Sequence, residues 1–355
     1  MNNEKQYKII KKFYRNKRVL ITGATGFKGA WLSFWLNKIG SNVCTIGNNP
    51  NKNKSLFYGL KLQNKTSLKI LDIRNYSKLE KVVKKFDPQI IFHLAAQPLI
   101  IASYKKPKET YEINSLGTLN LLETCRTTKS LKSLICVTSD KCYESNYSLK
   151  GFKESDKLGG KDPYSGSKAC AEIIVKTYID SFFKNSKIAV ATARAGNVIG
   201  GGDWSPNRLI PDTIHSLINK KTIRLRNPGF NRPWQHVLEP LNGYLILAEK
   251  LFKNPKKYST SWNFGSEKNT VTSVFEVVKK MIKIWGSGKI VHKRNFKYYE
   301  QKNLQLNISK AKEKLKWKPY YSIYQSVLAT TNWYKKVYIE KKSPKKVTLD
   351  QIIEY

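Results

Sequence analysis

A glycine triplet near the start of the chain limits its possible folds more than any other feature. Gly23, Gly26 and Gly29 follow the apolar run Arg18-Val-Leu-Ile-Thr22. After the glycines in the sequence, apolar residues recur at helical spacing, at Trp31, Leu32, Trp35, Leu36 and Ile39. Glycines in such a strand-to-helix turn let the backbone approach a pyrophosphate, toward which the helix N-terminus points its N–H groups. The segment therefore predicts a dinucleotide-binding βα unit.

Strand and helix patterns alternate through the first half of the chain. Further strands are predicted at 42–46, 68–71, 90–94, 134–137 and 188–193, and helices at 76–86, 114–125 and 164–183. This alternation is typical of an α/β fold, a Rossmann-type doubly wound parallel sheet.

The predicted domain organisation follows from where that alternation stops. Residues 17–195 form the Rossmann domain, and residues 196–340, rich in glycine and proline loops, form a smaller C-terminal substrate-binding lobe with some chain returning to the sheet. We expect the basic N-terminal extension, residues 1–16, and the C-terminal tail, residues 341–355, to be flexible appendages.

The charge is strongly basic, with 65 Lys and Arg against 25 Asp and Glu and a net charge of +40. Such a charge is compatible with nucleic-acid binding. The lysines are spread along the whole chain, which favours solvated surfaces and no nucleic-acid partner. A basic cleft would also concentrate an anionic substrate.

The cysteine, histidine and hydropathy patterns argue against disulfide-bonded, metal-binding, secreted and membrane-spanning proteins. The five cysteines form no C-x-x-C pair, which favours buried reduced thiols in a cytosolic protein, and the four scattered histidines predict no metal site. The sequence has neither a secretory signal nor an apolar run near the ~20 residues that a membrane span needs. We expect a soluble, cytoplasmic protein without a membrane partner.

Two neighbouring motifs carry candidate chemistry: Ser139-Asp140-Lys141, and Tyr164 four residues before Lys168. A tyrosine and a lysine at this spacing share one helix face, where the ammonium favours the phenolate and makes it a usable base. Tyr-x-x-x-Lys begins five times, at Tyr7, Tyr104, Tyr164, Tyr298 and Tyr338. Only the pair at Tyr164 lies at the start of a long helical pattern that follows an apolar strand. We therefore take this pair as the functional one.

Several segments carry a family resemblance over roughly residues 17–336. Thr22-Gly-Ala-Thr-Gly-Phe-Lys-Gly, Phe92-His-Leu-Ala-Ala-Gln-Pro and Tyr164-x-x-x-Lys168 resemble extended short-chain dehydrogenases/reductases. Thr138-Ser-Asp-Lys-Cys-Tyr-Glu, Ala193-Arg-Ala-Gly-Asn-Val and Arg232-Pro-Trp-Gln-His are similar to nucleotide-sugar 4,6-dehydratases, in particular to the branch that acts on CDP-glucose. Lys141 stands where dTDP-glucose and GDP-mannose dehydratases carry glutamate.

The resemblance implies roles for the catalytic candidates. Ser139 would bond the sugar 4-hydroxyl, Tyr164 would take its proton, and Lys168 would hold the nicotinamide ribose. Asp140 would be the acid for the departing 6-hydroxyl, and Lys141 would help to remove the C5 proton. The implied overall reaction is C4 oxidation, loss of water across C5 and C6, and hydride return to C6.

The resemblance also implies binding residues, with NAD as the cofactor and CDP-glucose as the nucleotide-sugar partner. The cofactor set is Gly23, Thr25, Gly26, Phe27, Lys28, Gly29, Asp72, Ile73, Leu94, Ala95, Ala96, Tyr164 and Lys168. The substrate set is Asn197, Arg208, Leu209, Arg232 and His236. The residues themselves leave NADP open, because Lys52 and Lys54 follow the second strand. Asp72 is equally compatible with adenine binding and with capping a helix or turn.

Other functions remain open at this level. A 4-epimerase, or a dehydratase acting on another nucleotide sugar, shares Tyr164 and Lys168, although an epimerase has no need of Asp140 and Lys141. A remote alternative is a non-catalytic Rossmann protein that binds nucleic acid or senses redox state. By resemblance we expect a homodimer or a dimer of dimers.

Overall fold

The computed structural model describes residues 3–50, 52–144, 151–267, 272–292 and 304–355, so that Tyr298 and its lysine partner lie outside the described residues. The strands are β1 Arg18–Thr22, β2 Asn42–Gly47, β3 Ser67–Ile70, β4 Ile90–His93, β5 Ser133–Val137, β6 Ala189–Ala195, β7 Val198–Ile199, β8 Ile223–Leu225, β9 Asn231–Arg232, β10 Gln235–His236, β11 Ser261–Phe264, β12 Thr272–Ser273 and β13 Ile290–His292. The α-helices are α1 Asn3–Tyr14, α2 Phe27–Lys38, α3 Leu56–Gly59, α4 Tyr76–Phe86, α5 Ile100–Lys105, α6 Pro107–Tyr111, α7 Gly117–Arg126, α8 Pro163–Tyr178, α9 Leu209–Ile218, α10 Leu238–Lys253, α11 Pro255–Tyr258, α12 Val274–Trp285, α13 Ile323–Tyr338 and α14 Pro344–Glu354.

Seven parallel strands form one sheet in the order β11-β6-β5-β4-β1-β2-β3. The predicted doubly wound Rossmann-type sheet is confirmed. The strand order reverses between β1 and β4, where Thr22 pairs with His93. Ligands of open α/β sheets bind at the carboxyl ends of the strands beside such a reversal.

Alternation of apolar side chains along the strands builds a core on each face of the sheet. In β1, Val19 and Ile21 join one cluster, whereas Leu20 joins the other. Helices α2 and α10 cover the first face, and helices α4, α7 and α8 cover the second. Both faces are therefore buried, as a parallel sheet requires.

Most predicted elements match the structure, with a few local differences. The predicted helix 164–183 consists of α8 and a π-helical segment, Ile179–Phe183, and helix α7 is preceded by a similar segment, Glu112–Leu116. The seventh strand, β11, comes from the chain beyond residue 196 and pairs with β6. The sequence predicts that some chain beyond residue 196 returns to the sheet, but the local pattern of four residues does not reveal which segment returns.

The expectation that both ends are flexible appendages is wrong. Ile10 and Tyr14 lie one turn apart on α1 and are buried, and the Tyr14 hydroxyl donates to the Leu245 carbonyl over 2.8 Å. In α14, Val347 and Ile352 are buried. Lys8, Lys11 and Lys12 of α1 and Lys346 of α14 are exposed. The basic composition of both segments therefore concealed an apolar face.

The chain beyond β6 forms the smaller lobe from short strand pairs and helices. The pairs are β7 with β10, β8 with β13 and β9 with β12, and helices α9, α12 and α13 pack around them. In the described residues, no helix is long and apolar enough to cross a membrane.

Candidate active site

In the turn after β1, the positions of Gly23 and Gly29 leave no room for a side chain. Gly23 has a φ of +70°, and a Cβ there would lie 2.6 Å from the Ala95 nitrogen. A Cβ at Gly29 would lie 2.2 Å from the Gly23 oxygen. Gly26, the N-cap of α2, has no side chain to occupy the first-turn N–H groups. This cradle fits the pyrophosphate of a dinucleotide.

A buried histidine supports that turn from behind. His93 Nδ1 lies 2.7 Å from Thr22 Oγ1, and His93 Nε2 lies 3.0 Å from Thr118 Oγ1. Because Thr118 donates to the Asn114 carbonyl, the His93 proton resides on Nε2 and Nδ1 accepts from Thr22. Burial lowers the pKa of His93 to about 3, so the neutral ring joins β1, β4 and α7.

Asp72 and Ile73 follow β3 on the adenine side of the predicted site. Both Asp72 carboxylate oxygens accept from Arg74, with the closest contact to Nη2 at 2.7 Å. Asn75 is the N-cap of α4. Ile73 is buried, and its Cδ1 lies where a Cβ on Gly117 would be. In this structure Asp72 stabilises a turn, one of the two roles that the sequence left open.

The turn after β5 holds the predicted acid and base. Ser139 caps a short 3₁₀ turn, Asp140–Cys142, by accepting from the Lys141 nitrogen, and its hydroxyl donates to Asp140 Oδ1 over 3.0 Å. Asp140 is 3% exposed, whereas Lys141 is half-buried. Burial raises the pKa of Asp140, although the charge of Lys141 and the Ser139 hydrogen bond lower it.

Helix α8 presents Tyr164 and Lys168 beside that turn. Asp162 caps the helix and fixes its first turn by accepting from Ser165. Burial raises the pKa of Tyr164 to about 12, whereas a hydrogen bond with Ser139 lowers it. The Lys168 ammonium donates to the Val137 carbonyl over 3.3 Å, and burial lowers its pKa to about 8.

A cavity of about 600 Å³ connects these residues with the C-terminal lobe. Its lining includes Ser139, Asp140, Lys141 and Tyr164. The lining cations outnumber the three acids Asp140, Asp203 and Asp212; they are Lys28, Lys105, Lys141, Arg208, Arg224, Arg226 and Arg232. The cavity is therefore suited to an anionic ligand.

Comparison with known families agrees with this geometry. A family model described as GDP-mannose 4,6 dehydratase matches residues 20–330. The chain belongs to this family. It is 41% identical over 334 residues to a CDP-glucose 4,6-dehydratase from Salmonella typhimurium, covering 92% of this chain and 93% of that protein.

Solved structures of the family and its neighbours share the fold. A dTDP-glucose 4,6-dehydratase from Bacillus anthracis in complex with NAD is 25% identical, has a TM-score of 0.74, and covers 90% of this chain and 97% of its own. An epimerase from Methanothermobacter thermautotrophicus gives a TM-score of 0.83 at 21% identity, covering 96% of this chain and 98% of its own. At that identity the likeness concerns the fold alone.

Four of the five predicted substrate residues line the cavity, and the fifth does not. Asn197, Arg208, Leu209 and Arg232 are in the lining. His236 is fully buried in the core, where its ring packs against Trp31 and Tyr321. His236 therefore lies outside the cavity lining, and its role as a substrate residue stays a prediction.

The family motifs alone did not identify several residues of the site. Arg224 and Arg226 lie at and just beyond β8, and both line the cavity. Asp203 is buried and accepts from Arg208 over 3.3 Å. The alternation Ile223-Arg-Leu-Arg226 was a usable signal for two cations on one strand face.

Proposed function

We propose that this protein dehydrates CDP-glucose to CDP-4-keto-6-deoxyglucose with NAD as its cofactor. The observation that carries the proposal is that Ser139, Asp140, Lys141 and Tyr164 line the same cavity. An alcohol dehydrogenase needs only the hydroxyl and the phenol. The additional carboxyl and amine provide an acid and a base for elimination.

The glycine cradle and Lys168 would hold the cofactor. When bound, NAD would supply the hydride acceptor for C4 of the sugar and the hydride donor for C6. Gly23, Gly26 and Gly29 leave room for the pyrophosphate, and Leu94, Ala95 and Ala96 follow β4 at the same edge. Lys168 lies one turn beyond Tyr164, from where its ammonium would bind the ribose. The NAD complex of the B. anthracis relative supports this cofactor.

Tyr164 and Ser139 act on the 4-hydroxyl. Ser139 orients that hydroxyl, and the Tyr164 phenolate oxygen takes its proton. Burial is the largest cause that raises the pKa of the phenol, to about 12, and it keeps the group protonated even though the Ser139 hydrogen bond and the Arg208 charge lower this pKa. Cofactor and substrate must therefore complete the activation of Tyr164.

Lys141 and Asp140 divide the elimination between them. The Lys141 amine removes the C5 proton, which the adjacent ketone has acidified. Asp140 gives a proton to the departing 6-hydroxyl, so that water leaves. Its desolvated position favours the protonated carboxyl, the form that an acid catalyst needs.

The cationic part of the cavity binds the diphosphate. Arg208 lines the cavity while its guanidinium is steadied by Asp203, and Arg232 is buried beside Phe230. Guanidinium groups form bidentate hydrogen bonds to phosphate oxygens. Asn197 and Leu209 complete the substrate contacts in this proposal. Selection of cytidine among nucleotides rests on the 41% identical relative.

The cellular setting extends the proposal. Two copies pair through α7 and α8, supported by the exposed apolar side chains of Leu116 and Ile173. All five cysteines are free thiols, which supports a reducing cytoplasm. The product is a precursor of deoxysugars for surface polysaccharides such as O-antigen. Residues 17–195 and 196–340 act as the cofactor and substrate domains.

A direct assay tests the proposed reaction. The purified protein is incubated with CDP-glucose and catalytic NAD⁺ in deuterium oxide, and the 4-keto sugar is followed by its alkaline absorbance. We expect a keto product with solvent deuterium at C5. Turnover of another nucleotide sugar instead would reassign the substrate. A C4-inverted product that keeps its 6-hydroxyl would make the protein an epimerase.

A further inference from the structure

The Asp140 carboxylate lies directly against the backbone of Gly196, the first residue after β6. A Cβ added to Gly196 would lie 1.6 Å from Asp140 Oδ2 and 2.0 Å from Asp140 Cγ. Its three nearest heavy atoms all belong to this carboxylate. No side chain larger than hydrogen fits at this position while Asp140 keeps its place.

Backbone conformation does not require glycine here. Gly196 is absent from the glycines with positive φ, in contrast to its neighbour Gly202 at +81°. An alanine would therefore be accepted by the main chain itself. The requirement for glycine comes from the carboxylate that occupies the space of a side chain.

A buried glutamine fixes the Gly196 peptide. Gln235 Nε2 donates to the Gly196 carbonyl over 3.0 Å and to the Phe264 carbonyl over 2.9 Å. The Gln235 backbone nitrogen also donates to the Asn197 carbonyl over 3.2 Å. Gln235 is 1% exposed. The segment under Asp140 is thus tied to both β10 and β11.

The carboxylate itself is held asymmetrically. Oδ1 accepts from Ser139, whereas Oδ2, which faces Gly196, is buried and has no hydrogen-bond partner among the described residues. The positive charges of Lys141, Arg232 and Lys28 lower the pKa of this carboxyl. Contact with Gly196 therefore keeps one oxygen of Asp140 out of water.

We propose that Gly196, held by Gln235, is a positioning residue that fixes the Asp140 carboxyl where it can protonate the leaving 6-hydroxyl. This inference rests on the function proposed above. A methyl group at Gly196 forces the carboxylate to rotate toward the cavity, away from its desolvated position. The C4 oxidation persists because the added methyl group has Asp140, and not Tyr164, as its nearest neighbour.

The test compares Gly196→Ala with Gly229→Ala, whose added Cβ meets nothing within 4 Å. Formation of reduced cofactor on mixing with CDP-glucose reports C4 oxidation, and the keto sugar reports elimination. For Gly196→Ala we expect elimination to fall by about 100-fold, a typical loss for a displaced general acid, while oxidation stays within about threefold of wild type. Gly229→Ala should match wild type. Equal losses in both steps, or no loss in elimination, would overturn the proposal.

A double variant separates positioning from general damage. The double variant Asp140→Asn/Gly196→Ala should be no slower in elimination than Asp140→Asn alone. The reason is that Gly196→Ala affects elimination only by displacing the Asp140 carboxyl. Additive losses contradict the proposal.

A second variant serves if Gly196→Ala does not fold. Gln235→Met removes both side-chain N–H donors but keeps the volume of the side chain, and it should show the same selective loss of elimination. Equal loss of oxidation in that variant would count against it.

A readout without substrate keeps this inference distinct from the proposed function. If wild type fails to convert CDP-glucose, the proposed function fails. Isotope-edited NMR of the Asp140 carboxyl then still tests the contact: Gly196→Ala should lower its pKa toward the ordinary value, because the group gains water. An unchanged Asp140 pKa in the folded variant would overturn the positioning role.

Discussion

The Arg194 guanidinium and the Glu172 carboxylate form a buried ion pair, with Nη2 and Oε2 2.7 Å apart and side chains 3% and 1% exposed. Thr138 also donates to Glu172, and Thr192 does so over 2.8 Å. Glu172 lies on α8 one turn beyond Lys168, and Thr138 precedes Ser139. The pair therefore fastens the ends of β5 and β6 to α8 behind the candidate catalytic residues.

Removing one member of this pair should destabilise the protein strongly. Arg194→Met leaves a buried carboxylate without its cation, which costs about 3–5 kcal/mol of unfolding free energy. Urea unfolding measures the loss. The exposed pair of Lys176 and Asp180 is the control, and Lys176→Ala should change stability by less than about 1 kcal/mol. A similar small change for Arg194→Met would show that the buried pair contributes little.

The same pair predicts how stability falls in acid. Burial raises the pKa of Glu172, but the Arg194 charge and three hydrogen bonds outweigh it and lower that pKa below its ordinary value. A carboxylate with a lowered folded-state pKa contributes stability above its unfolded pKa and loses it as pH falls through the folded value. Glu172→Gln should therefore flatten the acid limb of a stability-against-pH curve. An unchanged acid limb would assign that limb to other carboxylates.

Lys141→Ala should separate cofactor binding from elimination. The side chain lies on the turn after β5 and lines the cavity, and it belongs to the predicted catalytic set but not to the predicted cofactor set. We expect NAD affinity within about twofold of wild type, and exchange of the C5 proton reduced by at least about 100-fold. Titration of cofactor fluorescence and deuterium incorporation measure the two effects. Normal C5 exchange in the variant would remove Lys141 from that step.

Cofactor affinity should fall as the solution becomes alkaline. Burial lowers the pKa of Lys168 to about 8, and burial with the charges of Lys168 and Arg208 lowers that of Lys28 to about 8. Both ammonium groups are charged below this pH and lose their charge above it. A lost charged hydrogen bond weakens binding by roughly tenfold or more. NAD titrations at several pH values test this. Lys168→Met should remove the part of the pH dependence of NAD affinity that Lys168 contributes.

The C-terminal helix should contribute measurably to stability. Trp333 Nε1 donates to Thr348 Oγ1 over 2.9 Å, and both residues are buried. Thr348→Val leaves the indole N–H without its acceptor, which costs about 1–3 kcal/mol. Thr348→Ser keeps the hydroxyl and should cost less. Equal unfolding midpoints for Thr348→Val and wild type would instead support the flexible tail that the basic composition suggested.

Local sequence signals were sufficient where a function depends on neighbouring residues. The run from Arg18 to Gly29 encodes strand, turn and helix in order, and each glycine meets backbone that a side chain would displace. Ser139, Asp140 and Lys141 are adjacent in sequence, so they share one turn in almost any fold. The sequence did not show that the side chain of His236 is buried. A short strand in a loop region has no periodicity from which the buried face can be read.

By itself, the sequence determined the doubly wound sheet, the cofactor cradle and the residue types of the catalytic set, because strand-helix alternation and motif spacing are local properties. Only the tertiary structure decided how these groups are held. It brought Gly196 under Asp140, placed Arg194 on Glu172, and docked helices α1 and α14 onto the core. Such contacts join residues from distant parts of the chain, and packing alone, which no local pattern encodes, determines which of them meet.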